Sequence, residues 1–475
     1  MLSNQDEIWP LVEEQAPRFH ALSNAVWAVP ETCYAEHASV ALHLEELEHQ
    51  GFRITKNLAD IPTAVMGEWG EGGPVIAFLG EYDALAALSQ EADVAEPSPI
   101  KEGANGHGCG HNMLGSAAML AATALRDWLK ETGTPGRVRY VGCPAEEGGS
   151  AKTFMVKAGV FDDVDIAITW HPAAMANVMR SSSLAAARID FTFSGRASHA
   201  AASPHLGRSA LDAVELMNVG VNYLREHMSD QARIHYAYLD AGGISPNVVQ
   251  AHAKVRYVVR EPRTREMMAL IERVRKVADG AALMTETTVK GELVTVASEL
   301  VPNGPLCEAM QRNLDRLGPP PFTDEDRAYA AKMQATMTDA DIASTYAMAN
   351  MKETERKPLA DFIVPDSVPP VDLPGSTDVG DVSWVVPTVQ MWGANYAIGT
   401  PFHTWQMVAQ GKSEPAIKGM IHAAQVMAAT GMDCIRDPGL IARAKADLAE
   451  RVGPEGYVCP LPDGAVPPIE EMAGS

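Results

Sequence analysis

The stretch GHGCGHNMLG, Gly106 to Gly115, sets His107, Cys109 and His111 on alternate residues with glycines between them, directly ahead of an alanine-rich run. Thiolate and imidazole are good ligands for borderline divalent ions, and glycines let a backbone bend tightly and approach an ion closely. Further along, Glu146 and Glu147 in CPAEEGG follow a buried-looking run, RVRYVGCP, which distinguishes them from an ordinary solvated acid pair. In extended backbone adjacent side chains point to opposite sides, so one carboxylate can bind a metal while its neighbour takes a proton from a bound water. His171 closes the apolar run DVDIAITWHP, and His403 lies in the Gly/Pro loop GTPFHTW. Each of these groups alone is ordinarily structural. Together Cys109, His111, Glu147, His171 and His403 supply soft, borderline and hard ligands, an inventory that suits two closely spaced divalent ions, manganese or zinc.

The elements that must position these residues follow from periodicity. Asp6 to Gln50 has helical spacing and stops at Gly51, ahead of the strand-like FRITKN. PVIAFLGEYDAL is a short apolar run that delivers Glu81 and Asp83 at its end, with Asp83 a candidate to support a ligand from behind. A polar, Pro/Gly-containing loop precedes Gly106, and Met113 to Lys130 is a helix of Ala, Leu and Met. With the runs ending at Cys143 and His171 this gives strand, helix, strand, helix, strand. That is the doubly wound α/β signature, in which ligands gather beyond the carboxyl ends of the strands.

From about Ala186 the pattern changes to strand, helix, strand, strand, helix, strand, the ferredoxin-like order. Three parts are therefore expected. Residues 1–185 form the first part of a catalytic domain, 186–296 an inserted α/β sandwich, and 297–475 the rest of the catalytic domain with an irregular C-terminal arm after Gly453.

Composition narrows the class. The chain has 475 residues, 46% of them hydrophobic, and a formal net charge of −23, which would repel nucleic acid or an anionic membrane surface. No stretch approaches the roughly 18 to 20 apolar residues of a membrane helix. The N-terminal residues carry no basic segment followed by an apolar run, so a secretory signal is not expected. The six scattered cysteines suit a reducing compartment, and cytoplasm is the expectation.

GHGCGHNMLG, PAEEGGSAK, TWHP, SGRASHAAASPHLGRSALDA, ISPNVV and TPFHTW, taken in this order between about Ala21 and Asp433, resemble the metallohydrolase family of aminoacylase and glutamate carboxypeptidase. More narrowly they are similar to its amidohydrolase branch, which takes in indole-acetyl-amino-acid and p-aminobenzoyl-glutamate hydrolases. The resemblance implies a metal-dependent amidase acting on an N-acyl amino acid, with Cys109, His111, Glu147, His171 and His403 as ligands and Glu146 as general base. It also implies that His199 reaches an active site across a dimer contact and stabilises the transition state, and that Asn247 and Arg260 bind the substrate's carbonyl and carboxylate, with Arg196, Arg208 and Arg263 as competitors for that anchor. Asn112 departs from the branch, where an aspartate commonly follows the second ligand. The insert, 186–296, is implied to act as lid and dimerisation domain, giving a homodimer, and a second, different subunit is left open. The alternatives are a dipeptidase or carboxypeptidase on the same scaffold, and a noncatalytic binding subunit, against which the retained Glu146 argues.

Overall fold

The computed structural model describes residues 4–473; the outermost residues of the expected first and last parts, 1–3 and 474–475, lie outside the described residues. The run expected as one helical segment is two helices, Asn4–Trp27 and His37–His49. The break has a local cause. Pro30 disfavours helical backbone before it, and Glu31 in the link accepts hydrogen bonds from the Ala38 and Ser39 amides, opening the second helix.

Seven strands form the larger sheet: β1 (Arg53–Lys56), β2 (Val65–Glu71), β3 (Val75–Glu81), β4 (Gly136–Cys143), β5 (Ile166–His171), β6 (Ala174–Val178) and, much later in the chain, a strand at Thr388–Ala394. The centre of the sheet, β4, β3, β5 and Thr388–Ala394, is parallel, and antiparallel β1, β2 and β6 lie toward its edges. Glu81, Cys143, His171 and Trp392 therefore come out at one edge.

Alternation along β3 explains the layers. Ile76 and Phe78 pack with the buried helices His111–Thr132 and Glu414–Arg436, while Val75, Ala77 and Leu79 face Phe154, Val379 and Val382 on the opposite side. Each such fully buried Val, Leu, Ile or Phe side chain stabilises by about 1.5–3 kcal/mol relative to exposure.

The smaller sheet contains β7 (Ala185–Ser194), β8 (Arg233–Asp240), β9 (His252–Glu261) and β10 (Thr288–Ala297), all antiparallel in the order β10-β7-β9-β8. With helices Ala210–Leu224 and Thr264–Thr285 on one face this is the ferredoxin-like arrangement, inserted into the doubly wound layer. Ala187, Ile189, Phe191 and Phe193 of β7 are buried against those helices, so the alternate residue Arg188 points to the other face. The arm after Gly453 is docked: Leu461 and Met472 are buried, and Tyr457 donates to Asp381 Oδ1 at 2.7 Å. Among the described residues no helix is long and apolar enough to cross a membrane.

Candidate metal centre and active site

His111 is the first residue of its helix, and Gly110 before it takes φ +79°, a left-handed turn that glycine adopts without strain. That turn aims Cys109 and His111 at the carboxyl edge of the sheet. The loop is fixed from across the cleft, because the His403 amide donates to Gly108 O at 2.9 Å. His403 itself stands at φ +59°, a strained value for a side-chain-bearing residue.

Hydrogen bonds set the direction of each imidazole. His111 Nδ1 lies 2.8 Å from Asp83 Oδ1, and a carboxylate only accepts, so Nδ1 holds the proton and Nε2 presents a lone pair. His171 Nδ1 lies 2.9 Å from Pro172 O, which leaves its Nε2 free to face Cys109 Sγ at 3.4 Å. Asp83 also holds the turn that carries Glu147, since its Oδ2 accepts from the Glu147 amide at 2.9 Å. One buried carboxylate thus fixes two of the expected ligands.

The ligand atoms of Cys109, His111 and His171 lie within 4.8 Å of one another, as do those of Cys109, Glu147 and His403. Cys109 belongs to both groups. A third group on the same distance joins Glu81, His111 and Glu146. His111 Nε2 and Glu147 Oε1 are buried without a hydrogen-bond partner, which is costly unless something else satisfies them. Two lone-pair donors orphaned beside a thiol and two further imidazoles fit divalent ions of the borderline kind.

Glu146 and Glu147 sit in a turn, not in the extended backbone expected of them: β4 ends at Cys143, Ala145 takes φ +57°, and the Gly149 amide closes back on Ala145 O at 2.8 Å. The two carboxyls nevertheless have different surroundings. Burial, followed by the charges of Glu81, Glu147 and Asp378, pushes Glu146 well above the usual carboxylate range. Burial also pushes Glu147 upward, but the hydrogen bond with His403 and the charge of His111 outweigh it and bring it down to about 2. Neighbouring acids driven apart in this way are suited to opposite roles in proton transfer.

Three parts of the site escaped the sequence reading. Glu36, fully buried, accepts from the Tyr34 and Ala145 amides and from Thr63 Oγ1, and so pins the turn that carries Glu146. Lys152, also fully buried, bridges Glu81 and Asp378 at 2.6 Å each. Arg188 on β7 donates to Glu147 O at 2.9 Å and to Gly148 O, and it lines the cleft together with Arg260. The only hint in the sequence was the placement of Arg188 on the polar alternation of ARIDFTFSG. Arg260 Nη1 donates to Ser376 Oγ at 2.7 Å. The competitors do not line the cleft: Arg208 pairs with Glu286 at 3.0 Å and Arg263 with Glu299 at 3.8 Å, while Arg196 is exposed.

His199 and Asn247 are not brought to this cleft. Both are exposed on the insert, joined by the bond from the Ala200 amide to Asn247 O at 2.9 Å. His199 Nδ1 accepts from the Ala201 and Ala202 amides at 3.2 Å, so its proton is on the outward Nε2. Asn112 is buried, with Nδ2 donating to Ser23 Oγ at 3.0 Å and Gly411 O at 3.1 Å; it ties the helix start to neighbouring segments and does not face the ligands.

Residues 77–395 match the model of the peptidase family M20/M25/M40. The chain is 45% identical to the B subunit of p-aminobenzoyl-glutamate hydrolase from Escherichia coli (strain K12), over 96% of this chain and 97% of that one. It is 30% identical to the A subunit of the same hydrolase over 49% of this chain and 55% of that one. Among solved structures, the Bacillus subtilis YXEP protein, a dinuclear metal binding peptidase from the M20 family, shares the fold at TM-score 0.55 and 18% identity, over 88% of this chain and 99% of that chain. The chain belongs to the peptidase family M20/M25/M40, the metallohydrolase family its motifs resemble, and is a hydrolase of that family.

Proposed function

We propose that the protein hydrolyses the amide bond of an N-acyl amino acid, a conjugate of the p-aminobenzoyl-glutamate kind, using two divalent ions held by Cys109, His111, Glu147, His171 and His403. The observation that carries this reading is the pair of orphaned lone-pair donors, His111 Nε2 and Glu147 Oε1, beside a thiol common to both ligand groups. Divalent ions bound there, manganese or zinc, supply the positive charge that polarises an amide carbonyl and lowers the pKa of water. Glu146 takes a proton from the attacking water and returns it to the departing nitrogen. Arg260, supported by Arg188, pairs with the carboxylate of the amino-acid half, since a guanidinium meets a carboxylate with two parallel hydrogen bonds.

His199 and Asn247 serve the cleft of a neighbouring copy. The Nε2–H of His199 donates to the oxyanion that develops on the scissile carbonyl, and Asn247 binds that carbonyl. What supports this is their exposure in the single chain together with the fixed outward donor of His199. The chain is then a homodimer through the inserted domain, residues 186–296, which interrupts a catalytic domain made of 1–185 and 297–475. It works in the cytoplasm, and the pairing of two differently named subunits among its relatives supports a second, different subunit.

Metal-loaded protein is expected to release glutamate from p-aminobenzoyl-glutamate, to lose that activity to a chelator, and to regain it with added manganese or zinc. A panel of N-acyl amino acids and unblocked dipeptides checks the class. Turnover of the dipeptides alone would replace this reading by a dipeptidase.

A further inference from the structure

Beside the metal-ligand cleft lies a second cavity of about 270 Å³, and the two share Met348, Leu373, Pro374, Trp392 and Phe402. The shared aromatics stand against a candidate ligand: the ring of His171 is 5.2 Å from that of Trp392 and 5.8 Å from that of Phe402. The cavity thus opens onto the His171 side of the centre, whereas Arg188 and Arg260 line the cleft from the inserted sheet.

Its chemistry differs from that of the cleft. Met175, Met179, Met348 and Met407 line it together with Val178, Val364 and Val368. Thioethers adapt to irregular shapes and make favourable contacts with aromatic rings. The charged groups on its wall are already engaged. Arg180 pairs with Asp366 at 2.9 Å and donates to Val368 O at 2.8 Å, Asp341 caps the helix that begins after Thr338, and Asp372 accepts from the Ser182 amide at 3.2 Å. Among the described residues no cation on this wall is left to meet an anion, and two carboxylates would repel one. Tyr396, almost fully buried, also lines the cavity, and its hydroxyl has no partner and lies against Gly110 of the ligand loop. A polar handle therefore reaches from the apolar space toward the metal centre.

We infer that this cavity is the acyl pocket and takes a single aromatic ring, so that a bound substrate lies with its aryl acyl group between the helix Asp339–Met348 and Trp392 and its carboxylate toward Arg188 and Arg260. The inference rests on the proposed amidase reading and adds to it the place of the acyl ring and the direction of the substrate. Size agrees. An apolar cavity of about 150 Å³ accommodates benzene, and the present one leaves room for a ring substituent. The wall is made by Asp341 to Ala349 and Val364 to Pro374, where four prolines stiffen the second segment.

Filling the pocket tests it. Thr345→Phe, and Ala349→Phe as an independent variant, put a ring where the substrate's ring would sit. Folding is checked by thermal melting and metal content by elemental analysis. The ratio of kcat/KM for N-benzoyl-glutamate to that for N-acetyl-glutamate is expected to fall by about 10- to 100-fold in both variants. Independently of turnover, calorimetry on the metal-free chain should find the neutral probe p-aminobenzamide binding in the parent and binding at least about tenfold weaker in the variants. An unchanged ratio in an active, folded variant overturns the pocket and leaves the amidase reading standing. A parent that hydrolyses neither conjugate, alone or with its second subunit, overturns the amidase reading, and calorimetry then decides the pocket: equal p-aminobenzamide binding in parent and variants overturns it, and selective loss leaves it standing as an aryl-binding pocket.

Discussion

The Gly106–Gly110 loop and the pair of loops around His199 and Asn247 are both short connections rich in small residues, and both carry motif histidines. Their hydrogen bonding differs. The first is bonded across the molecule, by the His403 amide to Gly108 O and by Asp83 to both His111 and Glu147. The second is bonded to itself: the Ala200 amide to Asn247 O, the Val249 amide to Ser198 O at 3.0 Å, and two amides to His199 Nδ1. Nearby Ile244 is 100% exposed and Val248 45% exposed. A loop that must hold lone pairs within a few tenths of an ångström needs anchors in other elements. A loop whose reacting partner is on another molecule needs only internal order and an open face.

The comparison breaks most sharply at the two glutamates. Glu146→Gln keeps the shape and removes the proton acceptor, so turnover should fall by roughly 10² to 10⁴ while metal stays bound. Glu147→Gln should instead release metal. Elemental analysis beside kinetics separates them, and equal metal loss in both would show that the pair's roles are wrongly divided.

A smaller effect is expected one bond farther out. Asp83→Ala frees His111 Nδ1 and the Glu147 amide together, and the loss of such a supporting partner typically lowers metal affinity by about 10- to 100-fold. Cys109→Ser, which alters a group common to both ligand sets, should lower it further. Competition with a chromophoric chelator measures both, and the assignment fails if Cys109→Ser retains full metal and full activity.

These residues divide by how far the sequence could be read. Cys109, His111, Glu147 and His171 could be singled out because each lies at or just beyond the end of an apolar strand or the start of a helix, which sends them to one edge of a parallel sheet, whereas His403, in a Gly/Pro loop, joined them through the motif resemblance. Asp83 was legible as a supporting residue for the same reason. Glu36 was not, since its value depends on Ala145, which is 109 positions away. Lys152 and Asp378 are 226 positions apart, and nothing local distinguishes a buried lysine from a surface one. The turn at Ala145 was hidden because positive φ there is imposed by tertiary bonds on a residue with no intrinsic preference for it. The aryl cavity was equally silent, because the helix Asp339–Met348 and the segment Val364–Pro374 line a common space with Trp392 and Tyr396 only once the chain is packed. The order of elements in the four-stranded insert was legible, because β9 alternates cleanly and the helix Thr264–Thr285 is long.

The last test has the smallest effect and addresses the exposed half of the comparison. If His199 completes a neighbour's site, neither His199→Ala nor Glu146→Gln protein is active alone, and mixing the two under conditions that exchange subunits should restore activity. In a mixed dimer one site has an intact Glu146 from one chain and an intact His199 from the other, while the second site carries both defects. Equal mixing with free exchange makes about half of the dimers mixed, each with one working site of two, so roughly a quarter of the parent's activity should return. Exchange is followed by native mass spectrometry on differently labelled chains. The recovered fraction then sharpens the argument quantitatively. A return near a quarter requires that His199 act only across the interface, and a smaller return requires that the mixed dimer form less readily than either parent, which the same mass spectrum measures. If mixed dimers are present in their expected share and the activity stays at zero, His199 does not act across the interface, and the exposure of its loop needs another cause.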